Sequence, residues 1–116
     1  MKKILIMIRS APYGSTNFGE GLRAGIALAG MDIDTTILLI EDAVFAAVKD
    51  QNPTRIGMTS LTEAFKNGVE FGARILGHSE SLTARGLTPN ELIEIGTVTT
   101  KEIANLVHEV DATITF

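Results

Sequence analysis

Apolar residues in this chain fall into short unbroken runs separated by stretches of helical periodicity. Residues 3–9 begin the pattern, and Ile4 to Ile8 are apolar without alternation. A continuous run of this length suits a central parallel strand covered on both faces. Residues 34–40 and 73–77 read the same way, as does 111–116 through Ala112 to Phe116. Thr97-Val98 is a candidate fourth strand between the last two of these.

Between the runs the spacing changes. Phe18, Leu22, Ile26 and Ala29 recur at helical intervals, with Asn17-Phe18-Gly19-Glu20 as the start and Gly30 as the terminator. Asp42 is placed to cap a short helix through Val48, and Asp50 to Met58 reads as a polar loop carrying Pro53 and Gly57. Ser60-Leu61-Thr62-Glu63 is a capping box that opens a helix with Leu61, Ala64, Phe65 and Gly68 on one face. Thr88-Pro89-Asn90-Glu91 is another, with proline where a missing N–H does no harm. Thr99-Thr100-Lys101-Glu102 opens the last helix, with Ile103, Leu106, Val107 and Val110 inward. Strands alternating with helices predict an α/β fold, a three-layer, mainly parallel sheet with helices on both faces in a flavodoxin-like arrangement. With 116 residues, one domain spanning 1–116 is expected.

Composition narrows the chemistry. The net charge of −4, with basic residues scattered after Lys2-Lys3, argues against a nucleic-acid surface. There is no cysteine, which excludes disulfides, thiolate metal sites and thiol mechanisms. The apolar run before Arg9 is short for a signal peptide and no run approaches a membrane span, so a cytoplasmic protein without a membrane partner is expected.

The most informative stretch is Arg74 to Leu87, Arg-Ile-Leu-Gly-His-Ser-Glu-Ser-Leu-Thr-Ala-Arg-Gly-Leu. An apolar run ends at Gly77-His78, and a polar turn leads into a short helix. In an open α/β sheet, ligands and reactive groups collect at that carboxyl edge. His78 is therefore the best candidate for any chemistry, as a proton donor or acceptor, although a lone histidine equally fills a pocket or subunit seam. Ser79 reads first as a helix N-cap, and Ser81 flanks the same turn. No nucleophile elbow accompanies them, which sets a serine hydrolase aside. Arg85-Gly86 closes the helix, with Gly86 left-handed and Arg85 at the negative dipole end.

The loop from Arg9 to Thr16 follows the first strand, where flavodoxin-like proteins hold phosphate. It lacks both glycine-rich phosphate motifs, which leaves flavin or nucleotide binding as an alternative only. Ser10, Tyr13, Gly14 and Ser15 join His78, Ser79 and Ser81 as the expected ligand-binding set. Their ligand would be a small anion at parallel-strand ends. Glu41-Asp42 ends the second strand. It lacks the downstream partners of a magnesium-binding receiver, so capping by Asp42 is the better account. His108 reads as a surface residue. No cofactor or metal is called for.

Ser81-Leu82-Thr83-Ala84-Arg85-Gly86, Ala11 to Gly14 and Glu41-Asp42-Ala43-Val44-Phe45 together resemble the DsrE/DsrF-like (TusB/TusC/TusD-like) sulfur-relay family. That resemblance implies a small α/β unit assembling as a homo-oligomer (trimer or hexamer) or a DsrE-like hetero-complex. In such families the sulfur-carrying cysteine sits just before the Ser-Leu-x-x-Arg-Gly stretch, and His78 takes that place here. The resemblance thus implies a cysteine-free member, a structural subunit or a protein binding a small ligand or partner. The rival is an enzyme, or a metal- or anion-binding protein, using His78.

Overall fold

In the computed structural model, which describes residues 2–49, 51 and 61–116, the described residues form one five-stranded sheet of order β4-β3-β2-β1-β5. The strands are β1 (Lys3–Ile8), β2 (Asp34–Leu39), β3 (Arg74–His78), β4 (Gly96–Val98) and β5 (Ala112–Thr115). Every pairing is parallel. Helices α1 (Asn17–Gly30), α2 (Leu61–Glu70), α3 (Ser79–Ala84) and α4 (Thr100–Glu109) connect them, with 3-10 segments at Glu41–Ala47 and Pro89–Glu91. The capping box at Ser60 and most of the loop after Asp50 lie outside the described residues.

The predicted three layers are present. Ile6, Ile8, Ile37, Leu39 and Ile75 face α1 and α2. Leu5, Leu38 and Val98 turn the other way, with Ile103 and Leu106 of α4 and Val110 just after it packed against them. This two-sided burial is what unbroken apolar runs require. Leu5, Ile6, Ile37 and Leu38 are fully buried. Each such side chain contributes roughly 1.5–3 kcal/mol relative to exposure.

Gly21 and Gly25 lie on the inner face of α1 and let its backbone pack directly on the side chains of the sheet. A Cβ on Gly25 would stand 2.6 Å from Ile37 Cδ1, and one on Gly21 3.0 Å from Ile8 Cδ1. A Cβ at either position would push the helix outward or displace those side chains.

Several local expectations shift. The α1 helix runs through Gly30, and the left-handed residue after it is Asp32, at φ 63°. Asp32 can take this role because a short polar side chain tolerates that conformation. The N-cap of α1 is Thr16, one residue before Asn17, and it makes no side-chain cap bond. Val107 is 45 % exposed rather than inward, because α4 packs on the sheet with only a narrow stripe. Thr99 caps α4 as expected. Its Oγ1 accepts from Glu102 N at 3.2 Å, and its own N–H donates to Glu102 Oε1 at 3.0 Å. At Thr88 the box opens a single 3-10 turn, with the Glu91 carboxylate accepting from the Thr88 N–H and hydroxyl.

Candidate functional site

Because all five strands are parallel, His78 at the end of β3 and Arg9, Glu41 and Thr99 just past their strands lie on one edge of the sheet. Strand alternation decides the face on which each side chain stands. On β3, Ile75 packs toward α1 and α2, while Leu76 packs toward α4. His78, two residues past Leu76, therefore stands on the α4 side.

There the imidazole is engaged at both nitrogens. Nδ1 lies 2.6 Å from Ser81 Oγ, and Nε2 lies 2.8 Å from Thr100 Oγ1. The directions follow from the neighbours. Ser81 Oγ already accepts from the Glu41 N–H at 2.9 Å, so we assign its own proton to Nδ1. Nε2 then carries the ring proton and donates it to Thr100. The Thr100 N–H in turn donates to the Glu80 carboxylate at 2.9 Å. The result is one chain from the Glu41 backbone through Ser81 and His78 to the Thr100 hydroxyl, with the Glu80 carboxylate held beside it by the Thr100 N–H.

This chain ties four elements together, the 3-10 segment at Glu41–Ala47, β3, α3 and α4. Ser81 is buried, the His78 side chain is 16 % exposed, and Glu80 is 52 % exposed, with its Oε1 3.6 Å from Nε2. The Thr100 N–H, helped by the Thr100 hydroxyl, holds the Glu80 carboxyl below the usual carboxylate range. Ser79 is not the N-cap of α3. That place belongs to His78, and Ser79 is already helical.

Glu41 has a positive φ of 52°, uncommon for a side chain of its size. It is held there from two directions. Its N–H binds Ser81, and its carboxylate takes Arg9 Nε at 2.7 Å and Nη2 at 3.4 Å. The same pairing with Arg9 lowers the Glu41 pKa and raises that of Arg9. Asp42 makes no cap. Its Oδ1 accepts Arg85 Nε and Nη2 at 3.1 and 3.0 Å, while Arg85 Nη1 reaches the Ser81 carbonyl at 3.2 Å. Both acids of this pair thus face guanidinium groups. Among the described residues no group of three or more metal-ligating side chains converges. Gly86 ends α3 at φ 68°, as expected.

The predicted set therefore separates in space. His78 and Ser81 share the chain on the α4 face. Ser79 lines a cavity with Leu82, Thr83 and Thr97 that does not include His78. Ser10, Tyr13, Gly14 and Ser15 lie between β1 and α1, so they lead to the opposite face. Gly14 takes φ 100° there, a turn open only to glycine at low cost. From sequence, Thr100 is only part of a helix start, Glu41 stands beside Asp42 and Arg9 heads a loop, and neither the Thr100–His78 nor the Arg9–Glu41 pairing is foreseen. Their signal was positional, since each sits at the carboxyl end of a strand next to a neighbouring strand's turn. His108 is exposed.

Comparison with known proteins adds the family. The DsrE/DsrF-like family model matches residues 2–116. The intracellular sulfur oxidation protein DsrF of Allochromatium vinosum is 31 % identical over 116 residues, covering 97 % of this chain and 85 % of that one. Protein TusC of Escherichia coli is 31 % identical over 90 residues, covering 77 % and 76 %. The crystal structure of the E. coli ychN protein superposes with a TM-score of 0.90 at 27 % identity, covering all of both chains.

Proposed function

Because this chain belongs to the DsrE/DsrF-like family, we propose that it serves as a cysteine-free subunit of a DsrE-like assembly. In this role the turn at His78 is a structural clasp rather than a sulfur carrier. A relative named as an intracellular sulfur oxidation protein supports a role near sulfur relay. Persulfide transfer needs a thiolate, and this sequence has none.

The observation that carries the reading is the double engagement of His78. An imidazole that uses Nδ1 for Ser81 and Nε2 for Thr100 has no unshared lone pair for a substrate proton or a metal. What the molecule does offer is unpartnered surface. Val107 is 45 % exposed, Ile114 44 % exposed, and β5 is exposed along its length as an edge strand. An open edge of this kind is a template for association. A homo-oligomer, trimer or hexamer, or a mixed DsrE-like complex would cover it. Its place is the cytoplasm, and no described helix is long and apolar enough to cross a membrane.

Two measurements on one preparation test this. Light scattering at micromolar concentration is expected to give several times 12.4 kDa, and intact mass after treatment with a persulfide donor is expected to be unchanged. A persistent monomer would remove the subunit role. A stoichiometric one-sulfur adduct would restore sulfur transfer through some other residue.

A further inference from the structure

On the Gly77 face of the sheet, opposite His78, the protein carries a cavity of about 600 Å³. This volume lies within the range of small-molecule sites, roughly 300–1,000 Å³. The wall is built by Leu82, Leu87, Leu92, Ile93 and Ile95. Leu82 and Leu92 are core residues, and Ile95 Cδ1 lies where a Cβ on Gly77 would meet it at 3.0 Å. The absence of a side chain at Gly77 is thus what lets Ile95 seat against β3.

The polar residues that line it are few: Ser79, Thr83 and Thr97 with hydroxyls, Lys49 with an ammonium and Glu94 with a carboxylate. Lys49 is held at the rim by a single antiparallel bridge. Val48 bridges Leu92, Lys49 N–H donates to the Glu91 carbonyl at 2.8 Å, and Ile93 N–H donates to the Ala47 carbonyl at 2.7 Å. Glu94 lies on the ridge that also walls a neighbouring, more apolar cavity beside Phe65 and Val69. Lys49 and the three hydroxyl residues line the first cavity and not this neighbour.

We propose that this cavity binds a small amphipathic monocarboxylate, with its carboxylate at Lys49 and the Ser79, Thr83 and Thr97 hydroxyls and its apolar tail along Leu82, Leu87 and Ile95. An apolar floor disfavours a charged tail, because a buried charge without a partner is costly. The Glu94 carboxylate on the ridge repels a second negative group. The site therefore selects one charge and one apolar end. The assignment is independent of the clasp at His78, which lies on the other face.

The test uses hexanoate, hexylammonium and adipate as probes, followed by amide chemical shifts of the intact protein. Hexanoate is expected to shift Ser79, Thr83, Ile93 and Thr97 in a saturable way. Lys49→Gln, at an exposed position that leaves the fold intact, should weaken it by about tenfold, the loss of one charge-assisted hydrogen bond. Hexylammonium and adipate should each bind at least fivefold more weakly. Equal binding of hexylammonium overturns the proposal, as does hexanoate binding that Lys49→Gln does not weaken. So does a set of shifts centred on Phe65 and Val69, or no saturable shift at all.

Discussion

Replacing His78 tests whether the carboxyl-edge turn is a clasp. His78→Ala deletes the bonds to Ser81 Oγ at 2.6 Å and to Thr100 Oγ1 at 2.8 Å. Each hydrogen bond has a net worth of roughly 0.5–1.5 kcal/mol. Ser81 is only 6 % exposed, so its hydroxyl proton is left without an acceptor where water reaches poorly. The summed loss is about 2–3 kcal/mol, or a fall in melting temperature of roughly 10 °C for a chain of this size. The two nitrogens separate by substitution. Asn carries an acceptor near the Nδ1 position and should recover about 1 kcal/mol through Ser81. Gln places a donor near Nε2 and should recover a similar amount through Thr100. Urea unfolding at one fixed protein concentration, with the slope compared across variants, reads these values without confusing them with changes in association. A cycle with Ser81→Ala should show coupling of about 1 kcal/mol, since the two residues share one bond. A loss under about 0.5 kcal/mol for His78→Ala, or strict additivity with Ser81→Ala, would refute the clasp.

Two further outcomes are expected. The Glu80 pKa is lowered, first by the Thr100 N–H and then by the Thr100 hydroxyl. Its contribution to stability is therefore complete above the unfolded carboxylate value of about 4.3 and is lost as pH falls through the lower folded value. Glu80→Gln should flatten the acid limb of a stability–pH curve below about pH 4.3, with the part due to Glu41 retained because that pKa is lowered separately by Arg9; an unchanged limb would contradict the Thr100 contacts. Gly25→Ala should cost about 1–3 kcal/mol in chemical unfolding by overpacking Ile37, whereas Gly19→Ala, on the exposed side of the same helix with nothing near its Cβ, should gain up to about 1 kcal/mol.

The layers of this fold are legible in the sequence because burial on two faces leaves an unbroken apolar run, as at Ile4 to Ile8 and Ile37 to Leu39. The Thr99 box and Gly86 are equally readable, since each is a local device whose partners lie within a few residues. Asp42 was misleading for the opposite reason. Its partner, Arg85, is 43 residues away, so a long-range pair displaced the local cap. The edge that gathers the candidate residues was likewise readable from parallel strands, but an edge has two faces. His78 and Ser79 are adjacent in the chain, yet one turns toward α4 and the other toward the cavity beside Leu82. Only the path of the backbone through the strand-to-helix junction separates them. The pairing of Thr100 with His78 escaped notice because a threonine after a capping threonine is unremarkable until β4 brings it beside β3.

The position of β5 bears on how the chain folds. Strand β1 is the first to be synthesised, yet it is flanked by β2 on one side and by β5, some hundred residues later, on the other. The Lys3 N–H meets the Asp111 carboxylate at 2.7 Å across 108 positions, and Phe116 N–H reaches the Met7 carbonyl at 2.8 Å. Such distant pairing closes a loop nearly as long as the chain and slows the late steps of assembly. During translation β1 waits with one bare side, in a state prone to pairing with the wrong strand. A nascent chain stalled before Ala112 would carry a nearly complete sheet whose first-made strand is also its last to be satisfied.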